Sequence, residues 1–345
     1  MAQLPEDCLH EIFQYLDDNH LCSCLLVCRI WCQISIRILW RNVWNIETLI
    51  TCLPEESKVN LHRNEIPVSD RTPLINYASF CKIFMMNKFH ERIMLFLNPR
   101  HSATSTVNLD IKISVLSNEL LNLLVSNASL KSLHLLFTNP SITSMIDFAS
   151  LFGVNNFLQD MTELYCNSNH SPGFYSGLSR LCRNVQSLDL SIENSISNAN
   201  ELANFLFRQR NMKSLDIWQH VRLLNDNLIL GSIPNSVTEL GLNLPSVSNL
   251  RLIIGNLNNL RILKLSITDT NNYNGIESLE FLRLKILKFP SKFTRPTNEY
   301  IINFLNIHGG KLKEIHIARI EESLRNNIIH LCPNITVTNI ISIDD

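Results

Sequence analysis

One short pattern recurs along most of this chain and limits the folds open to it. An apolar residue is followed by two others, an apolar residue, one other and an apolar residue. It occurs at Leu130, Leu133 and Leu135, at Val185, Leu188 and Leu190, and at Met212, Leu215 and Ile217. It returns at Val237, Leu240 and Leu242, at Leu260, Leu263 and Leu265, at Leu284, Leu287 and Phe289, and at Leu312, Ile315 and Ile317. Weaker copies sit at Val107 and Leu109, at Met161, Leu164 and Cys166, and at Ile335 and Val337. The first residue moves from 185 to 212, 237, 260, 284, 312 and 335, in steps of 23 to 28 residues. The longer step from 130 to 161 predicts an insertion near Thr138 to Gly153.

Side chains alternate across a strand, so the fourth and sixth positions of each copy share one face. A lone strand cannot hide two large apolar side chains from water. Stacked neighbours can, at roughly 1.5–3 kcal/mol for each fully buried Leu. Helical patches at Ser117 to Val125, Asn200 to Phe207 and Asn298 to Ile307 separate the strands, the second with a capping residue at Asn200. The period falls in the leucine-rich-repeat range of about 20–29 residues. The expected fold class is α/β: a curved leucine-rich-repeat solenoid over 104–345, with parallel strands on the concave face and helices on the convex face. At about 4.8 Å per strand, the face would run on the order of 40 Å. The stretches Leu181 to Val185 and Leu331 to Ile335, each with a cysteine in second place, resemble the cysteine-containing class of these repeats. That class is commonly paired with an F-box.

The residues between the buried strand positions point the other way, and they are the candidate binding residues. They read Asn108, His134, Tyr165, Asp189, Asp216, Gly241, Lys264, Lys288 and His316, flanked by Glu163, Trp218, Glu239, Arg261, Lys285 and Lys313. The face is expected to be acidic in its middle and basic toward the C-terminus, which suits a protein partner of opposite polarity. Tyr165 and Trp218 are the aromatic anchors. The target-binding set is therefore His134, Tyr165, Asp189, Asp216, Trp218, Lys264 and Lys288.

The first forty residues have a different pattern. Pro5 suits a first helical turn, and Glu6 and Asp7 put negative charge at that helix's positive end. Leu9, Ile12, Phe13 and Leu16 fall at i, i+3, i+4 and i+7. Asn19 can cap a second helix carrying Leu21, Leu25 and Val27, and a third presents Trp31, Ile34 and Ile38 before ending at Trp40. Three short helices this apolar cannot bury everything in one another, so part of their surface must cover a partner.

Leu4-Pro5, Leu9, Ile12-Phe13, Leu16, Val27-Cys28-Arg29, Trp31 and Leu39-Trp40-Arg41 together resemble an F-box over residues 1–44. The resemblance implies docking on the Skp-type adaptor of a cullin–RING ubiquitin ligase, with Leu4, Pro5, Leu9, Ile12, Phe13, Val27, Trp31 and Trp40 forming or supporting the adaptor-binding surface. Between the two regions, residues 45–103 read as a helical junction. It has short helices at Glu47 to Leu53 and Glu55 to His62, and a packing helix over Phe80 to Leu97 that seals the repeats.

The remaining signals narrow the function. A net charge of -1 over 345 residues gives no general pull toward nucleic acid or an anionic membrane. No secretory signal pattern and no apolar run of about 20 residues occurs, which predicts a soluble intracellular protein, cytoplasmic or nuclear. The ten cysteines should be free thiols. Of the early Cys8, Cys22, Cys24, Cys28 and Cys32, the last three recur every four residues inside helical sequence rather than in paired turns, which favours small buried hydrophobes over zinc ligands. No nucleophile elbow, zinc-protease helix or Walker loop is present, so neither an enzyme nor a cofactor is expected. The reading is a substrate-recognition subunit of a Skp–cullin–F-box ubiquitin ligase. The alternative is a leucine-rich-repeat scaffold not engaged with a cullin.

Overall fold

The computed structural model describes residues 4–43, 45–69, 71–97, 106–136, 157–168, 170, 172–192, 198–219, 226–244, 257–267, 281–289, 297–317, 320–336 and 340–342. It forms two compact units, residues 1–161 and 162–345. The first is helical with two short strands. The second is a parallel sheet with helices, so the chain is α/β.

In the first unit, α1 (Glu6–Phe13), α2 (Asp18–Cys24) and α3 (Arg29–Leu39) pack around Leu9, Phe13, Leu21 and Ile34. Asp17, not Asn19, caps α2. It accepts the His20 backbone N–H at 2.9 Å, and that bond holds the Asp17 carboxyl below the usual carboxylate range. Helix α2 ends at Cys24, so Leu25 and Val27 lie in the turn beyond it. Of the five early cysteines only Cys24 is buried, while Cys8 and Cys28 are exposed. They are not collectively core residues.

Helices α4 (Ile46–Thr51) and α5 (Glu55–Arg63) follow as the sequence predicts, separated by Pro54. The single helix expected over Phe80 to Leu97 is instead strand β1 (Ile83–Met85) followed by α6 (Met86–Leu97). The backbone N–H groups of Lys82 and Ile83 donate to the Arg41 carbonyl at 2.8 and 2.9 Å, and β1 pairs in parallel with β2 (Ser132–Leu135). Tertiary pairing there outweighs the helical spacing of the apolar residues. The weak copy at Val107 and Leu109, and with it Asn108, lies in helix α7 (Thr106–Asn127), not in a strand. Ile113, Leu116, Leu120 and Leu124 give that segment a buried helical stripe, and this outweighs a two-residue match. The insertion expected at Thr138 to Gly153 lies outside the described residues.

The second unit runs β3 (Glu163–Asn167), α8 (Phe174–Leu181), β4 (Ser187–Ile192), α9 (Ala199–Arg208), β5 (Ser214–Gln219), α10 (Asp226–Leu230), β6 (Glu239–Leu244), β7 (Ile262–Ile267), β8 (Ile286–Phe289), α11 (Asn298–His308), β9 (Glu314–Ile317), α12 (Glu322–Leu331) and β10 (Ile340–Ser342). These eight strands lie side by side in chain order, all parallel. The last copy of the pattern is displaced. Its strand begins at Ile340, which pairs with Ile315, and Val337 is outside the described residues.

Equal register makes each expected position a row. Leu164, Leu188, Leu215, Leu240, Leu263, Leu287 and Ile315 are successive partners, all buried. Cys166, Leu190, Ile217, Leu242 and Leu265 form a second buried row. The backbone repeats the same step. The N–H groups of Lys213 and Ser214 share the Gln186 carbonyl, those of Thr238 and Glu239 share that of Lys213, and the scheme continues through Thr238, Arg261 and Lys285. Outside the strands, Asn211 donates to Asn184, Asn259 to the Asn235 carbonyl, and Asn334 to the Gly310 carbonyl.

The helices borrow caps from their neighbours. Helix α8 is preceded by Gly173, whose φ of 88° is left-handed and which carries no capping side chain. Glu201, from α9, accepts the N–H groups of Gly173 and Ser176 at 3.1 and 3.3 Å. The buried Gln209 donates to the Cys182 carbonyl at 2.8 Å and accepts from the Val185 N–H at 3.2 Å. Asn198, not Asn200, is the residue before α9, and it donates to the His170 carbonyl rather than to its own helix.

Two buried histidines carry a pH dependence. His170 stacks on Phe174 at 3.9 Å, and His308 lies against Phe281 and Phe304. Burial pushes both imidazoles down to about 4. Since the unfolded chain takes up the proton at about 6.5, their stabilisation is complete above that pH and is lost as pH falls toward 4. The thermal midpoint should fall across that window, and His308→Phe should flatten the fall in a pH series of melting curves. A Cβ at Gly309 would lie 2.5 Å from the Leu331 carbonyl oxygen and 2.9 Å from Cys332 Sγ. Gly309→Ala should therefore cost about 1–3 kcal/mol in urea denaturation.

Candidate functional site

Two surfaces collect the residues singled out by the sequence. The first is formed by the opening helices. Helix α1 turns Leu9 and Phe13 inward and leaves Ile12 49% exposed, so the expected four-residue stripe is split between core and surface. Leu4 at 55% and Val27 at 59% are also open to solvent, as is Pro5. Trp31 is half-buried and meets the edge of Phe13 at 4.9 Å between ring centres. Trp40 is buried against Tyr77 at 4.7 Å. Leu9, Phe13 and Trp40 thus hold the helices together from inside, while Leu4, Pro5, Ile12 and Val27 face outward. Sequence reasoning passed over Tyr15 and Leu26, which are 88% and 89% exposed. The turns after α1 and α2 project them, and short-turn geometry cannot be read from helical spacing.

Exposed leucine, isoleucine, valine and tyrosine side chains gathered on a three-helix unit form a surface suited to being covered. Residues 1–45 match the F-box-like family. No curated protein matches this chain. F-box domains generally bind Skp-type adaptors, and the F-box-like domain points to that role here.

The second surface is the outward side of the strands in the second unit. Tyr165, Asp189, Asp216, Gly241, Lys264, Lys288 and His316 are successive register partners, one per strand. The structure therefore brings five of the seven expected target-binding residues into a single row. Trp218 stands two residues further along its strand, in a second register row with Asn167, Ser191, Asn243 and Ser266, of which Asn167, Asn243 and Ser266 are buried. That row was not anticipated beyond its tryptophan. His134 lies on β2 in the first unit, where its ring nitrogen is 3.0 Å from the Ser132 hydroxyl. All seven candidates are half-buried.

The polarity expected of this face is altered by one lysine. Lys264 Nζ lies 2.9 Å from Asp216 and 2.9 Å from Glu239, reaching across the intervening strand β6 to meet the aspartate. Burial opposes the charge on Lys264, but Glu239 and Asp216 overcome that cost and raise its pKa above the ordinary lysine value. Lys264 therefore offsets one of these two carboxylates, and the cluster keeps one net negative charge. Glu163 and Asp189 lie within electrostatic reach of Tyr165. Burial first, then Glu163, Asp189 and Asp216, raise the Tyr165 phenol, so it stays a neutral O–H donor. His316 is paired with Glu314 on its own strand.

Gly241 makes the lysine bridge possible. A Cβ there would sit 2.0 Å from Asp216 Oδ1. Among the described residues no three His, Cys, Asp or Glu side chains gather as a metal site, and no helix is long and apolar enough to cross a membrane. Gly241→Ala should turn Asp216 away from Lys264 and lower unfolding stability by about 1–2 kcal/mol, as measured by urea denaturation. Lys264→Met should cost at least as much, since it leaves two half-buried carboxylates adjacent and unpaired.

Proposed function

We propose that this protein is the substrate-recognition subunit of a Skp–cullin–F-box ubiquitin ligase. The opening domain docks on a Skp-type adaptor and, through it, on a cullin. The strand-bearing region is a leucine-rich-repeat solenoid that binds a protein target on its outward face. The observation that carries the first half is the F-box-like match at residues 1–45, together with the exposed Leu4, Ile12, Tyr15, Leu26 and Val27 on those same helices. The second half is supported by the 23–28-residue period and by parallel strands whose equivalent residues stand in register.

In this reading the chain contributes position rather than chemistry. A target held beside the ligase's transfer machinery reacts as if at high local concentration. No cofactor is required, nucleic acid and membrane are not partners, and the protein works in the cytoplasm or nucleus. The half-buried Tyr165 and Trp218 and the acidic Glu163 and Asp189 suit a target segment with basic and aromatic character.

Replacing Ile12 and Val27 together by aspartate should weaken capture of a purified Skp-type adaptor by more than about tenfold, at least 1.4 kcal/mol. Circular dichroism should be unchanged, because both side chains already face water. Trp40→Ala should instead lower the melting temperature. An unaltered chain that fails to bind the adaptor at micromolar concentration overturns this reading in favour of a repeat scaffold without a cullin.

A further inference from the structure

The backbone ladder that joins β7, β8 and β9 also stacks the residues just before those strands. The Lys285 N–H donates to the Arg261 carbonyl and the Lys313 N–H to the Lys285 carbonyl, each at 2.8 Å. Arg261, Lys285 and Lys313 therefore stand on successive rungs, about 4.8 Å apart. All three are exposed. Two residues before each runs a second file, Asn259, Arg283 and Lys311. Arg283 Nη1 donates to the Asn259 side-chain oxygen at 3.1 Å, and Lys311 Nζ to the Phe281 carbonyl at 3.3 Å. These bonds seat the two side chains on the same strip while leaving them exposed.

Residues 257–267, 281–289 and 309–317 carry seven lysines and arginines against one carboxylate, Glu314, so the excess charge is local to these three rungs. Glu314 is taken by His316, and Lys264 is taken by Asp216 and Glu239. Among the described residues Arg261, Arg283, Lys285 and Lys288 form no ion pair. Like charges on neighbouring rungs repel, and the packed sheet prevents them from moving apart. An anion laid across the rungs relieves that repulsion.

The surroundings decide between classes of anion. Phe281 and Phe289 are buried, so among the described residues of the strip no aromatic face is offered on which a nucleotide base can stack. The chain as a whole has a net charge of -1, which gives a long polyanion no general attraction. Leu282 is the one large apolar side chain exposed among these residues, too little surface to enter a bilayer. It is enough for one apolar side chain of a peptide. In an extended peptide, alternate side chains lie about 7 Å apart on one face, so successive acids can reach different rungs.

We propose that this strip, Arg261, Arg283, Lys285, Lys311 and Lys313, binds an extended protein segment rich in aspartate and glutamate. It lies at the starts of the strands and is distinct from the Tyr165 and Trp218 region of the outward face. None of its residues belongs to the opening helices, so the strip's binding is separable from adaptor docking.

The test is fluorescence anisotropy of the full chain with a short labelled peptide carrying glutamate at alternate positions. Its glutamine counterpart, a single-stranded oligouridylate and phosphatidylserine vesicles are the competing probes. The acidic peptide should bind with Kd on the order of 100 µM at low salt, and about tenfold more weakly near 1 M salt. Arg261→Glu with Lys285→Glu should weaken it at least about tenfold, and Lys285→Gln alone about threefold. Arg180→Glu with Arg208→Glu makes the same charge change on α8 and α9 and should leave binding within about twofold. All four positions are exposed, so melting curves should match the unaltered chain. No binding of the acidic peptide, equal binding of the glutamine peptide, or tighter binding of oligouridylate or vesicles would overturn the proposal. Unchanged binding in the Arg261 and Lys285 variants, or an equal loss in the α8 and α9 variant, would do the same.

Discussion

Everything in the second unit depends on two apolar side chains per strand that no single strand can shelter. Leu215 and Ile217 are buried because Leu188 and Leu190 lie on one side of them and Leu240 and Leu242 on the other. Remove one strand and its neighbours on both sides are exposed. The backbone follows the same logic, with paired N–H groups on each strand sharing a single carbonyl of the strand before. Helix ends are satisfied the same way, as when Glu201 and Gln209 close the two ends of α8. Local stability is therefore lent by neighbours, as in any array whose units contact mainly those adjacent to them.

The first unit uses that device to fasten its opening helices. The Arg41 carbonyl, just past α3, takes the N–H groups of Lys82 and Ile83, and Asn42 bridges to Ile83 in parallel. Lys82 in turn accepts from Lys131 and Ser132. The end of the F-box-like domain is thus hydrogen-bonded as if it were a strand of the sheet that follows, rather than tethered by a loose linker. With Trp40 buried on Tyr77, the outward apolar residues of α1 and the turn after α2 are displayed from a fixed support. A surface of that kind loses little conformational entropy when a partner covers it.

Charge on the outward rows obeys a different constraint. Lys264 draws Asp216 and Glu239 into one half-buried cluster, and the missing Cβ of Gly241 leaves the space it crosses. Such a cluster fixes side-chain positions more than it adds net stability, because desolvation offsets much of the attraction. At the other end of the row Glu163 and Asp189 lie within electrostatic reach of Tyr165 and help keep its phenol neutral.

Much of this was written in one dimension. The period of the apolar triplet alone determined which residues are buried in the strands and which face outward, since alternation along a strand has only two outcomes. The opening motif determined the F-box-like domain for the same reason: many positions had to agree at helical spacing. Tertiary structure decided the rest. Residues 83–85 became a strand because the Arg41 carbonyl and β2 offered hydrogen bonds that helical spacing cannot foresee, and Val107 and Leu109 entered a helix because α7 had a longer stripe to bury. The split of Ile12 from Leu9 and Phe13 and the reach of Lys264 over Gly241 both depend on side chains distant in sequence meeting in space. A linear pattern specifies which face a residue takes; only the packed chain specifies what stands opposite it.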